Sequence, residues 1–142
     1  MDDQELYKKL NNDFLKVFPN EQLNNYVSIN NVNRNAIIIY FNNNHYYIKH
    51  FGIRQSENSI LSFTNYNDFL WNVLNEIIIS KSINYATLNK KNGQDFRRQL
   101  FKEQVELMAK YSEEFKTKKI NEIEKILENN PYNDDYNVFN QK

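Results

Sequence analysis

The chain of 142 residues contains no cysteine. That removes disulfides, thiolate metal sites and cysteine nucleophiles. Only two glycines and two prolines are present. A glycine-rich phosphate cradle cannot be built from isolated Gly52 and Gly93. Nucleophile-elbow and zinc-helix patterns are also missing. No apolar run reaches the length of a membrane span, and the start, "MDDQELYKKL", has no apolar core for a signal peptide. Charge of one sign is missing too: Lys+Arg and Asp+Glu are both 18. A whole-chain basic surface for nucleic acid is therefore not indicated, nor is an acidic mimic of one. These features fit a cytosolic protein with no cofactor and no membrane.

What is present is apolar and aromatic. The hydrophobic fraction is 40%, with ten Phe and ten Tyr, enough for one domain with a real core. Asparagine is abundant, as in "NNVNRNA" and "FNNNHYY", and reads as the bias of an AT-rich genome. No internal repeat or linker divides the chain. A single domain over 1–142 is expected, with a polar tail from about residue 131.

Residues 3–18 are expected to be helical, with Leu6, Leu10, Phe14 and Val17 on one face and Pro19-Asn20 as the stop. Tyr26–Ile29 reads as a weak strand and Asn35–Phe41 as a strong one. Asn42, Asn43 and Asn44 supply a turn into the return strand His45–Phe51. A further strand is expected at Ser59–Phe63. Thr64 or Asn65 caps a helix from Tyr66 to about Ile79, continuing toward Ala86. A helix from about Asp95 to Tyr111 follows, with Asp95 supplying the favourable negative charge at its start. Ser112 caps a last one, with Phe115, Ile123, Ile126 and Leu127 buried. The order predicts an α+β fold: a small antiparallel sheet of 3–4 strands after an N-terminal helix, covered by three C-terminal helices.

Few residues here suit chemistry. His45 and His50 are an odd number apart, so one strand puts them on opposite faces, where they cannot easily share a metal. The carboxylate pairs Asp2-Asp3, Glu113-Glu114 and Asp134-Asp135 read as caps and solvated surface. Residues 90–125 interleave ten bases with seven acids, as solvated helix faces do.

The helix opening "DFRRQLFKEQ" is the informative stretch. With Phe96 at 0° on a helical wheel, Arg97 lies near ~100° and Gln104 near ~80°, inside the apolar arc. Arg98, near ~200°, lies outside it beside Lys102. Arg97 thus faces inward and needs a partner. Exposed carbonyls or an acid such as Glu57, Glu76 or Asp68 would serve. A groove lined by Arg97, Gln104 and Tyr47 for an acidic ligand, or an enzymatic site there, is the alternative reading. A nucleic-acid adaptor using Arg98 and Lys102 is a third.

The C-terminal half resembles the bacterial polymorphic-toxin immunity proteins, specifically immunity protein family sixty-three. The resemblance is carried by Asp95, Phe96, Arg97, Arg98, Phe101, Gln104, Leu107, Pro131, Tyr132 and Asp134. Upstream, "NDFLWNVLNEII" is similar to the family's acidic-apolar helix with its central aromatic, here Trp71. Where the family's strand ends in Glu-Arg-Gly, this chain has His50-Phe51-Gly52 and keeps only the glycine. The resemblance covers roughly residues 45–135. It implies a non-enzymatic cytoplasmic α+β protein whose partner is a cognate toxin domain rather than nucleic acid. The motif residues, Gly52 among them, are expected to be structural. Trp71, Tyr46 and Tyr47 are the expected interface residues, since Tyr and Trp supply interface anchors.

Overall fold

A computed structural model describes residues 1–30, 37–50 and 59–134. Asn35, Phe51, Gly52, Glu57 and Asp135, named above, lie outside them. The element order is helix α1 (Asp3–Val17), a 3-10 turn (Leu23–Asn25), strands β1 (Val27–Ser28), β2 (Ile37–Asn42), β3 (His45–His50) and β4 (Ser59–Phe63), then helices α2 (Tyr66–Leu88), α3 (Phe96–Tyr111) and α4 (Glu113–Asn129). This is the expected α+β order. The chain divides into two compact units, Met1–Leu74 and Asn75–Lys142.

In the first unit, Asp2 caps α1 by accepting the Glu5 amide at 2.8 Å. The helix buries Leu6, Leu10, Phe14 and Val17. Each such side chain contributes about 1.5–3 kcal/mol on burial. The sheet order is β1-β2-β3-β4. β2 and β3 form a hairpin whose two-residue loop is Asn43-Asn44, with φ of 50° and 63°. Asparagine tolerates this left-handed backbone, and two successive positive φ values match the right-handed strand twist. β3 and β4 are also antiparallel. The sheet is mostly antiparallel, as expected; the short β1 departs from this, running parallel to β2 and pairing Val27 with Ile37.

Alternation gives the sheet two distinct faces. Ile39, Phe41, Tyr46, Ile48, Leu61 and Phe63 share one. Tyr46 and Phe63 pack on Phe69 of α2, with ring centroids 5.5 and 6.3 Å away. α1 is tied to the same unit by two polar contacts. The Tyr66 hydroxyl donates to Asp13 at 2.6 Å, and the Phe41 amide donates to the Asp3 carboxylate at 3.0 Å. Asn65, not Thr64, caps α2, accepting from the amides of Asn67 and Asp68.

In the second unit α3 and α4 pack on each other. Ser112 caps α4 by accepting the Phe115 amide at 3.0 Å. The buried row of α4 is Phe115, Lys119 and Ile123, which corrects the expected face in two ways. Lys119 is 1% exposed, although the sequence reading placed it on the surface. It lies only about 40° from Phe115 on the wheel, so its aliphatic stem fills an apolar position. Ile126 is exposed, because burial falls off over the last two turns, where of residues 124–130 only Leu127 is half-covered. Burial lowers the affinity of the Lys119 amine for its proton, and Glu122 at 3.3 Å opposes that shift.

Replacing a desolvated cation by an apolar side chain of similar volume is usually neutral or stabilising. Lys119→Met is therefore expected to unfold at an unchanged or higher urea concentration. Lys119→Ala, which leaves a cavity, is expected to lose roughly 2–4 kcal/mol. A Met variant clearly less stable than the wild type would show that the charge itself is needed.

Candidate functional site

The most heavily hydrogen-bonded cluster lies at the start of α3. Asp95 is the N-cap, with extended backbone and a buried side chain. Its Oδ1 accepts the Arg97 amide at 2.9 Å, satisfying a helix-start N–H that has no partner within the helix. The carboxylate then does more than cap. Oδ2 accepts from Arg97 Nη2 at 2.9 Å and from the Asn133 amide at 2.8 Å. The Asp95 amide donates in turn to Asp134 Oδ1 at 3.0 Å. Bonds thus run both ways between the start of α3 and the segment after α4: the Asp134 carboxylate accepts the Asp95 amide, and the Asp95 carboxylate accepts the Asn133 amide.

The arginines complete this exchange. Arg97 Nη1 donates to the Asn130 carbonyl and Nη2 to the Pro131 carbonyl, both at 2.8 Å. The Asn130 carbonyl follows α4, so Arg97 satisfies acceptors that the helix end leaves open. Arg98 forms a fork with Asp134, at 2.8 and 3.1 Å, and lies 4.1 Å above the Tyr132 ring centroid. Tyr132 also approaches Phe101, with ring centroids 6.3 Å apart.

Arg97 thus faces a pairing site, as the wheel indicated, but its acid is Asp95 rather than Glu57, Glu76 or Asp68. Arg98 lies outside and half exposed, with its fork occupied by Asp134. Arg97 and Gln104 share no partner: the Gln104 amide is 4% exposed and donates to the Ser82 hydroxyl at 3.1 Å. A shallow groove of about 380 Å³ between α3 and α4 is lined by Arg98, Phe101, Ile123 and Tyr132 among others, not by Arg97. Phe96 is half-buried and Phe101 buried. What the sequence reading missed was Ser82, a small polar residue in an apolar helix, and the second role of Asp95 beyond charge at a helix start.

The expected interface residues separate. Trp71 is 5% exposed, on a helix too apolar to leave it at the surface, so it offers little to a partner. Tyr46 belongs to the aromatic cluster with Phe41, Tyr66 and Phe69. Tyr47 lies on the other face, stacked on Tyr40 with centroids 4.7 Å apart and rings 8° from parallel. His45 and His50 take opposite faces: His45 Nδ1 contacts the Asn43 carbonyl oxygen and His50 Nδ1 the Ser59 hydroxyl. Among the described residues no group of three His, Cys, Asp or Glu is placed to hold a metal, and no helix is long and apolar enough to cross a membrane.

Residues 45–125 match the family Immunity protein 63. The match covers over half of the chain, and the chain belongs to that family. No curated protein and no solved structure matches it.

Burial pushes the Asp95 carboxyl up, but bonds from Arg97 and Asn133 outweigh it and hold its pKa at about 2. A depressed carboxylate stabilises the fold above its unfolded value, near ~4, and that contribution fades as pH falls toward the folded value. It is worth on the order of 1–2 kcal/mol after allowance for solvent. Asp95→Asn is expected to destabilise by roughly 1–3 kcal/mol at pH 7 and to flatten the loss of stability between about pH 4 and 2. Urea unfolding across that range measures both. Equal pH slopes for the two proteins would remove Asp95 as the responsible group.

Proposed function

From membership in the Immunity protein 63 family, we propose that this chain binds a cognate toxin domain of a bacterial polymorphic-toxin system and neutralises it by protein–protein contact. The family match over residues 45–125 carries the reading. Membership implies an inhibitor that works without catalysis, and the site of action is the cytosol of the toxin-producing cell. The cluster around Asp95 supports this reading. Both arginine forks are occupied within the chain, so neither is held ready for an acidic ligand or a phosphate backbone. Motif residues of this kind maintain the fold, and recognition falls to surface outside them. The whole chain acts as one binding domain.

The test is co-expression with the toxic C-terminal domain of the secreted protein encoded directly upstream. Growth is expected to be restored, and the two proteins are expected to co-purify as a stable complex. Cells that die as they do without this chain, with no complex in the lysate, would refute the proposal for that toxin.

A further inference from the structure

The two edges of the four-stranded sheet are finished differently. On the β2 side, amides that turn away from β3 are taken. Phe41 donates to the Asp3 carboxylate and Ile37 to the Tyr26 carbonyl. β1 adds only two residues there. On the far side, β4 pairs with β3 alone among the described residues.

The hairpin geometry fixes which groups of β4 are open. A two-residue loop makes Asn42 and His45 a hydrogen-bonded pair. Alternation then gives His45, Tyr47 and Lys49 to β2, and Tyr46, Ile48 and His50 to β4. The outward amides of Phe41 and Ile37 agree with this phase. Phe63, Leu61 and Ser59 are therefore tied to β3, while Ile60 and Ser62 turn their N–H and C=O groups away from the sheet.

Nothing in "SILSF" protects that edge. It has no charge, no proline and no bulge in its five-residue register. Ile60 is 55% and Leu61 41% exposed, on opposite faces of the strand. Ile60 shares its face with the stacked Tyr40 and Tyr47, so the open edge adjoins an aromatic patch.

We infer that β4 is the docking edge for an extended segment of the toxin partner, added as a fifth strand through the main chain of Ile60 and Ser62. This rests on the neutralisation reading above. The chemistry of the edge, main-chain groups flanked by apolar side chains without charge, recognises an extended peptide with alternating apolar residues. A second copy of this chain fits less well. Five residues span about 17 Å and a sheet edge is about 10 Å thick, so edge-to-edge pairing covers on the order of 170 Å² per copy. Stable interfaces cover about 800 Å² per partner. A folded toxin domain adds contacts beyond the edge, starting from the face that carries Tyr40 and Tyr47.

Two measurements on the wild-type chain and the upstream-encoded toxin domain test this. In the complex, the amides of Ile60 and Ser62 are expected to exchange hydrogen at least tenfold more slowly than in the free protein. Ile60→Pro and Ser62→Pro remove outward donors and leave the β3–β4 ladder intact. Each is expected to weaken toxin binding at least tenfold, with the amide spectrum of the rest of the chain retained. Binding by the wild type with both edge amides unprotected overturns the docking edge and leaves neutralisation standing. No binding by the wild type overturns both. A dimer of this chain alone that dissociates in the proline variants assigns the edge to self-association and overturns the inference.

Discussion

The second unit depends on where one carboxylate finds its donors. Asp95 starts α3, and a helix start presents N–H groups and partial positive charge that a carboxylate satisfies. The same carboxylate accepts from the guanidinium of Arg97 and from the amide of Asn133. Arg97 then spans to two carbonyls beyond α4. A capping interaction, normally local, becomes the tie between the beginning of one helix and the end of the next. Arg98 and Tyr132 extend the tie to the surface through Asp134.

How much of this was legible follows from sequence distance. Helix caps, the Asn turn and the hairpin depend on residues within a few positions, and they read correctly. The inward placement of Arg97 is likewise a property of one wheel. Its carbonyl partners at 130 and 131 lie more than thirty residues away, and no periodicity points to them. Asp95 was close enough to find. It was read only as charge at a helix start, because a residue two positions away is not a neighbour on a regular helix; as a cap it sits outside that geometry. Lys119 was misread for the opposite reason. Its wheel position was apolar, but its residue type suggested solvent, and the aliphatic stem reconciles the two.

On the proposed reading, fold and recognition occupy different parts of the chain. Asp95, Arg97, Arg98 and Gln104 are taken up in internal pairing, and Trp71 is buried. Surface suited to contact lies where the sequence is plainest: a short uncharged strand and two tyrosines on the adjoining face. Such surface has no chemical signature, so a motif search passes over it. It emerges only when strand order and amide direction are known.

The tie at Asp95 also has a consequence in time. It joins positions 33–39 residues apart, so its two halves meet only after α3 and α4 have come together. Where such contacts form after the transition state, their strength acts chiefly on the rate of unfolding. In a chain without cysteine, this closure is ionic rather than covalent, and a change of redox state leaves it untouched.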